Sequence, residues 1–533
     1  MNCITSTHQQ PCLTIEFVLK HANYYDITGI YIDGGKYQSY NHCPTSKINI
    51  NLIHMRAIFH IEGLTTVGKE EQFVKTSCSF QIVGQDFTKK TLAIKYLWIT
   101  GGEITLKYSA NIIFNHMMFT NTSLESVSLD NNSKINIAIS NVVFMQTEPS
   151  ANNTKQGIQI SGAYSLHLIL SKISIQNSRI YLSVTHYFVV LAYINCSKTD
   201  VHPYTIIDIG EEVSFELNYR TLYRKIILYN VEAKSSSNVT ISSPFISIKT
   251  KINHLIITNC LFKNTPVIKL GHTKTMIYRG VIFKILMSKS LFMRKNKHFQ
   301  YSVIDIGLLK ESLPLIVGSV FVINCTFENL SNDKSTSLHI GSDYPSGFDE
   351  RKVKLYVQSC KFLNNFAHSF GGSIYISSAV IATIKNSLFV INDWVLAANH
   401  FSKLFDKSKG AFIQSFGPII LSNTELKLSI PEVANSIVLI SVQFDSFKNN
   451  LISKLWTLSQ KCPEWYKIDI RFSQKLKSSA INVQLVSMCK LCPFNMYSIH
   501  NEVIIMYSRY EVRRIAMFTK PAKILSSQDL CLK

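Results

Sequence analysis

Twelve cysteines in 533 residues carry the widest chemistry in this chain, because a thiolate ligates metal or attacks and a pair cross-links. Four of them gather near the C-terminus as Cys462, the run Cys489-Lys-Leu-Cys492, and Cys531. A C-x-x-C with two further cysteines has the ligand type of a structural zinc site. The second pair lacks the close spacing such sites use, so disulfides are the preferred reading and no metal is expected. Cys12 and Cys43 are candidates to pin an N-terminal cap. Cys78, Cys260, Cys325 and Cys360 are of another kind, each standing two residues before a phenylalanine, Phe80, Phe262, Phe327 and Phe362. On a strand both side chains of such a pair share one face. Weaker copies of the surrounding phrase put Met117, Val142, Ser290 or Ser387 at the same site, which is how a small core position behaves. These four cysteines are expected as buried free thiols, and Cys325 and Cys360 fall within bridging distance if they belong to adjacent coils.

One basic cluster has the spacing of a heparin-type site: Lys289, Arg294, Lys295, Lys297 and His298. Guanidinium and ammonium groups hold sulfate by charge-assisted bonds, so an anionic polysaccharide is the ligand it would select; the plainer reading is a solvated turn. The formal net charge of +21, from 55 Lys and Arg against 34 Asp and Glu, agrees in sign. Nucleic acid is not expected, since no aromatic-rich basic stripe accompanies the charge.

Catalytic constellations are sought without success. Lyases and glycosidases flank a sugar bond with clustered carboxylates or a calcium ion, and here the nearest pairing is Glu211-Glu212, whose neighbours on a strand point to opposite faces. Asp208 and Asp305 hold matching places between isoleucines and are read as solvated positions rather than as the lining of an outer groove. Gly29-Ile-Tyr-Ile-Asp-Gly34-Gly35-Lys36 imitates a phosphate loop, but no Ser or Thr follows Lys36 to hold Mg²⁺, so it reads as a strand and turn. Nucleophile elbows, His-Glu-x-x-His helices and dinucleotide fingerprints are missing, and no cofactor is expected.

The elements that position these residues come from a recurring phrase: Asn259-Cys-Leu-Phe-Lys-Asn264, Asn324-Cys-Thr-Phe-Glu-Asn329 and Ser359-Cys-Lys-Phe-Leu-Asn364. Weaker copies end at Phe119, Phe144, Phe292 and Phe389, and Asn195-Cys196 is read as opening another. After each clear copy comes a short alternating strand such as Val267-Ile-Lys-Leu-Gly271 or Ser373-Ile-Tyr-Ile376. Phrase starts at 195, 259, 324, 359 and 386 differ by 64, 65, 35 and 27, and two of these are read as double steps of a solenoid period. Ile-x-Ile alternation is β-branched with period two and no helical stripe separates the strands, which favours strand coils over helical repeats. Stacked coils would pile Cys260, Phe262, Cys325, Phe327, Cys360, Phe362 and Phe389 along one interior. Asn at the phrase ends suits corners, because it tolerates left-handed backbone angles. A leucine-rich repeat is the structural rival, but Ile and Phe hold the repeated sites.

At these residues the chain resembles the right-handed parallel β-helix proteins of the pectin-lyase-like superfamily, over roughly residues 58–450 and most closely in Asn365-Phe-Ala-His-Ser-Phe-Gly-Gly-Ser-Ile-Tyr-Ile376. The tail cysteines with Pro463, Pro493 and Tyr497 are similar to the ephrin-receptor-like segment that follows such helices in animal surface proteins, departing from it at Phe494-Asn495. The resemblance implies an all-β solenoid with a small cysteine-containing tail, divided as an N-terminal cap with first strands (1–57), the β-helix (58–450) and the tail (451–533). It also implies an extracellular or cell-surface setting, although the chain as given shows no signal peptide or membrane span. Sequons at Asn121, Asn131, Asn152, Asn195, Asn238, Asn324 and Asn329 are no more than chance supplies in so Asn-rich a chain. The expected function is non-enzymatic binding or adhesion, as a receptor ectodomain or adhesin fragment, with an anionic polysaccharide or another surface protein as partner. The alternative is a carbohydrate-active enzyme on the same fold.

Overall fold

Period-two alternation buries every second side chain of the strands, and the way they are stacked decides what those side chains meet. The structure is a computed structural model. It describes residues 14–507 and 531–532 except 22–26, 34–38, 41–42, 44–46, 56–57, 65–72, 85–89, 127–132, 147–156, 199–204, 211–222, 236–243, 250–251, 265–266, 271–280, 295–301, 307–315, 333–336, 342–352, 368–371, 378–379, 392–412, 416–418, 430–436, 445–455, 462–465, 478–479, 492–496 and 499–501, with side-chain detail ending at Glu425. The chain divides into unit 1, residues 1–239 with 245–255, and unit 2, residues 240–244 with 256–533.

In unit 1 the chain winds as a parallel β-helix. Each coil gives a long strand to one sheet and a short strand to another. Successive long strands Thr91–Lys95, Ala110–Thr120, Lys134–Met145, Ser165–Gln176, His186–Lys198 and Arg224–Ser235 pair in parallel, each with the next coil. The short strands Phe80–Val83, Glu103–Lys107, Ser123–Ser126, Gly157–Ser161, Arg179–Ser183, Ile207–Ile209 and Ile246–Ile248 do likewise. Register places like over like: Ile112, Ile137, Leu168, Val189 and Ile226 form one buried column, and Phe114, Ile139, Leu170, Leu191 and Leu228 the next. Gly29–Asp33 is indeed a strand, parallel to Ile58–Leu64. The short helix Ile15–His21 packs Ile15 and Leu19 inward near the strand Ile48–Asn51, and Thr14 Oγ1 accepts from Phe17 N at its start. Among the described residues no helix is long and apolar enough to cross a membrane.

Unit 2 is wound in the same way, and here the repeated phrase acquires its physical meaning. Its first residue is a corner in left-handed conformation, at Asn259, Lys289, Asn324, Ser359, Asn386 and Asn423, with φ between 47° and 54°. The next residue points inward, the phenylalanine two further on also points inward, and the closing Asn264, Asn329 and Asn364 are second left-handed corners. The interval of 65 between 259 and 324 therefore contains one more corner, Lys289, and is two coils. Phe262, Phe292, Phe327, Phe362 and Phe389 stack nearly parallel, with centroids 5.4, 4.8, 4.9 and 4.4 Å apart in turn. At the second corner Asn364 Nδ2 donates to Asn329 Oδ1 at 3.4 Å, so the asparagines bond from coil to coil. A β-branched residue tolerates a left-handed corner badly, and Asn324→Val is expected to cost about 1–2 kcal/mol, measured as a lowered urea midpoint at unchanged m-value.

Beyond the last coils, Trp456–Lys461 pairs in parallel with Thr424–Ser429. Ile437–Phe444, Tyr466–Lys477 and Ala480–Leu491 form an antiparallel sheet. Strand 437–444, on the N-terminal side of the expected boundary at 450, thus joins tail strands, while 456–461 on its C-terminal side joins the coils.

Two sequence expectations are corrected by this winding. Cys78 is not a free thiol: it forms a disulfide with Cys43, 35 residues earlier. Its phrase differs from the others because Phe80 begins a short strand of the second sheet, not a post-corner segment of the first. Cys12, the other candidate to pin the N-terminal cap, lies outside the described residues. Asn195-Cys196 does not open a phrase, since the corner of that coil is Tyr193, which puts Cys196 in register with Ile175 and Ala233 at the place that phenylalanine takes elsewhere. Cys196, Cys260, Cys325 and Cys360 are not in disulfides and are buried.

Candidate functional site on the outer faces of the coils

Residues that point away from the interior are the ones a ligand can meet, and in these coils they also form columns. On the short-strand sheet of unit 1 one such column runs through Thr105, Glu125, Gln159, Tyr181 and Asp208. Asp208 was expected to be solvated, yet it is only 7% exposed. Arg179 Nη2 lies 2.6 Å from one of its oxygens and Lys249 Nζ 3.7 Å from the other, and the Arg179 guanidinium sits 5.0 Å from the Tyr181 ring centroid. A carboxylate leaves water only when its charge is answered, and two cations answer it here.

The same correction applies to Asp305 in unit 2, which is half-buried. His339 of the next coil, directly in register with it, brings Nδ1 to 2.8 Å from Asp305 Oδ1. Tyr375 of the coil after that stacks on the imidazole at 4.8 Å. The carboxylate fixes the ring's orientation and favours the proton on Nδ1. The pair is covered on one side by the Tyr375 ring.

Sequence reasoning missed a carboxylate pair, Glu103 and Glu125. Register puts Glu125 beside Thr105 in the adjacent coil, so the two carboxylates are diagonal neighbours on one outer face, about 8 Å apart at the backbone from strand spacing and rise. Their separation by 22 positions hid them, and only a known coil length would have paired them. Glu103 is held by Lys47 Nζ at 2.7 Å, which also reaches Thr105 Oγ1 at 2.6 Å.

The outer face of the long-strand sheet in unit 1 is of a different character. Its middle column is apolar and faces away from the core: Ile113, Ala138, Ile169, Val190 and Ile227. Ile113 is 39% exposed and the others are half-buried. Asn136 Nδ2 donates to Asn111 Oδ1 at 2.6 Å on one side of the column, and Ser140 donates to Asn115 Oδ1 at 3.0 Å on the other. Aromatic groups complete the border, with His167 against Phe188 at 4.9 Å, Lys225 over Phe188 at 5.7 Å, and Tyr193 edge-on to Tyr229 at 5.6 Å. Tyr193 and Tyr229 are 53% and 37% exposed.

Of the basic cluster, Lys289 and Arg294 are among the described residues. Lys289 is exposed at a corner, but Arg294 is 1% exposed. It follows Phe292 and Met293 at the position that Asn264 and Asn329 take in the neighbouring coils, where its side chain is buried. Burial pulls its pKa down to about 9, which leaves it cationic at neutral pH. Lys295, Lys297 and His298 lie outside the described residues, as do Cys462, Cys492 and Glu211-Glu212. Of the other tail cysteines, Cys489 stands opposite Ile468 and Cys531 opposite Ser498 in antiparallel ladders. No group of three or more potential metal ligands occurs among the described residues.

No family model matches this chain, and neither a curated protein nor a solved structure matches it.

Proposed function

We propose that this chain is a non-enzymatic extracellular or cell-surface β-helix protein that binds another surface protein through the outer long-strand face of unit 1. The observation that carries the reading is the outward column Ile113, Ala138, Ile169, Val190 and Ile227. The solvent face of a sheet is ordinarily polar, whereas an apolar centre with an aromatic and amide border is the anatomy of a protein interface. The Cys43–Cys78 disulfide supports an oxidising compartment. The likeness to pectin-lyase-like β-helices and to an ephrin-receptor-like tail belongs to the same proposal, as does glycosylation of the exposed Asn195.

The test is binding of the fluorescently labelled chain to intact cells, read by flow cytometry. The expected result is saturable binding that protease treatment of the cells removes and that Ile169→Lys with Val190→Lys weakens at least about tenfold, the effect of roughly 1.4 kcal/mol. Binding unaffected by the two lysines would overturn the assignment of the face. Binding that survives protease and is lost with glycan-degrading enzymes would move the partner to polysaccharide.

A second reading, a carbohydrate-active enzyme, has Glu103 and Glu125 in its favour, since glycosidases work with a pair of carboxyl groups flanking the sugar bond and register brings these two to one outer face. It predicts release of reducing sugar from an anionic polysaccharide, abolished by Glu125→Gln; absence of turnover across such substrates removes it.

A further inference from the structure

Three candidates stand outside the proposed function: the Asp305–His339 pair, the cation-flanked Asp208, and the buried thiols of unit 2, of which the thiols carry the argument furthest. The residue after each first corner forms an inward column in which Ser290, Cys325, Cys360 and Ser387 succeed one another coil by coil. Every member donates to the carbonyl two residues before it: Cys260 to Thr258, Ser290 to Ser288, Cys325 to Ile323, Cys360 to Gln358 and Ser387 to Lys385, at 2.8–3.4 Å. Cysteines in adjacent coils occur at one place in this column, Cys325 and Cys360. The two side chains face each other along the column, for Cys360 Sγ also lies 3.3 Å from Val322 O in the coil of Cys325.

We propose that Cys325 and Cys360 are a latent inter-coil cross-link that closes to a disulfide when the chain folds in the presence of a small disulfide oxidant. The chain already bridges one pair of cysteines at the same separation, because Cys43 and Cys78 are also 35 residues apart, at a different place in the coil, and are joined with a Cα–Cα distance of 5.0 Å. That distance is close to the spacing between neighbouring strands, about 4.8 Å, and within disulfide range. Closure breaks two S–H bonds and forms one S–S bond. The two electrons and two protons pass to the oxidant, oxidised glutathione for example, whose own disulfide becomes two thiols through a mixed-disulfide intermediate. Cys325 and Cys360 are both buried in the finished stack, so exchange belongs to the stage at which the coils close.

The other two buried thiols serve as internal controls. Cys196 lies between Ile175 and Ala233, and Ser290 stands between Cys260 and Cys325. Neither Cys196 nor Cys260 has a cysteine in the adjacent coil positions named here.

The full chain is produced in an oxidising secretory host, with oxidised glutathione supplied during folding until the Cys43–Cys78 peptide is linked. It is then alkylated under denaturing conditions, digested without reductant and mapped by mass spectrometry. The expected result is a linked Cys325–Cys360 peptide as the main form of both cysteines, with Cys196 and Cys260 alkylated. In Cys360→Ser, a residue that the neighbouring coil carries as Ser387, Cys325 should be recovered fully alkylated. The proposal is overturned if Cys325 and Cys360 are both alkylated in chains whose Cys43–Cys78 link is intact, or if Cys325 remains in a disulfide in the Cys360→Ser chain.

Discussion

Phe327→Ala lowers the unfolding free energy of unit 2 by about 3–5 kcal/mol, the cost of truncating a buried phenylalanine in a core that cannot collapse around the gap. Phe327 is fully buried with Phe292 at 4.8 Å on one face and Phe362 at 4.9 Å on the other. Its removal therefore deletes two stacking contacts at once. Relaxation is restricted because the flanking rings are fixed by their own strands, paired to Thr326–Glu328 from both sides. Urea unfolding followed by circular dichroism measures the loss. Hydrogen exchange locates it, because in a solenoid each repeat leans on its neighbours alone. Protection should fall in 291–293 and 361–363, with residues 413–415 little changed. Phe327→Leu keeps most of the volume and should cost less than about 1.5 kcal/mol. Equal costs for the two substitutions would mean that the site is not a packed column.

Cys43→Ser is the second large effect, and its origin lies in the unfolded state. The Cys43–Cys78 bond closes a loop of 35 residues, and the chain-entropy relation gives about 3–4 kcal/mol for a loop of that size. The variant should unfold at lower urea with a larger m-value, since an unbridged chain exposes more surface. With Cys325 and Cys360 replaced by serine in both chains, dithiothreitol should bring the bridged chain down to the midpoint of the Cys43→Ser chain and leave the latter where it is. A midpoint insensitive to both changes would show that the bridge does not form or does not restrain unit 1.

Much of the fold was legible in particular residues. Asn259-Cys-Leu-Phe-Lys-Asn264 and its copies spelled a corner, a small inward residue, an inward ring and a second corner, because each of those demands is local: φ above zero favours Asn, and period two sets the facing. The short strands, such as Ile304–Ile306 and Ile374–Ile376, were legible for the same reason. Contacts between coils were less so. Cys78 looked like Cys325 because both precede phenylalanine by two, yet they belong to different sheets, and position within a coil cannot be read from a pair of residues. Asp208, Asp305 and Arg294 were read by the ordinary behaviour of their types. Asp208 and Asp305 owe their burial to partners 29 and 34 residues away, Arg179 and His339, and Arg294 is buried at the position that Asn264 and Asn329 take in the neighbouring coils. The apolar outer column is illegible for a related reason: Ile113, Ile169 and Val190 lie inside unbroken apolar runs, Ile112-Ile-Phe114, Leu168-Ile-Leu170 and Val189-Val-Leu191, where nothing local marks which residue faces out until coils are stacked.

Stacking in register is the claim from which the thiol pair, the phenylalanine column and the outer faces all descend. It is tested most directly by paired cysteines at outward positions, in a chain whose Cys325 and Cys360 are serine. Thr326 and Lys361 are in register in adjacent coils, whereas Thr326 and Leu388 are two coils apart. The account predicts that Thr326→Cys with Lys361→Cys oxidises to a disulfide in the folded chain and that Thr326→Cys with Leu388→Cys does not; the reverse order of reactivity, or no bond in the first pair, contradicts it.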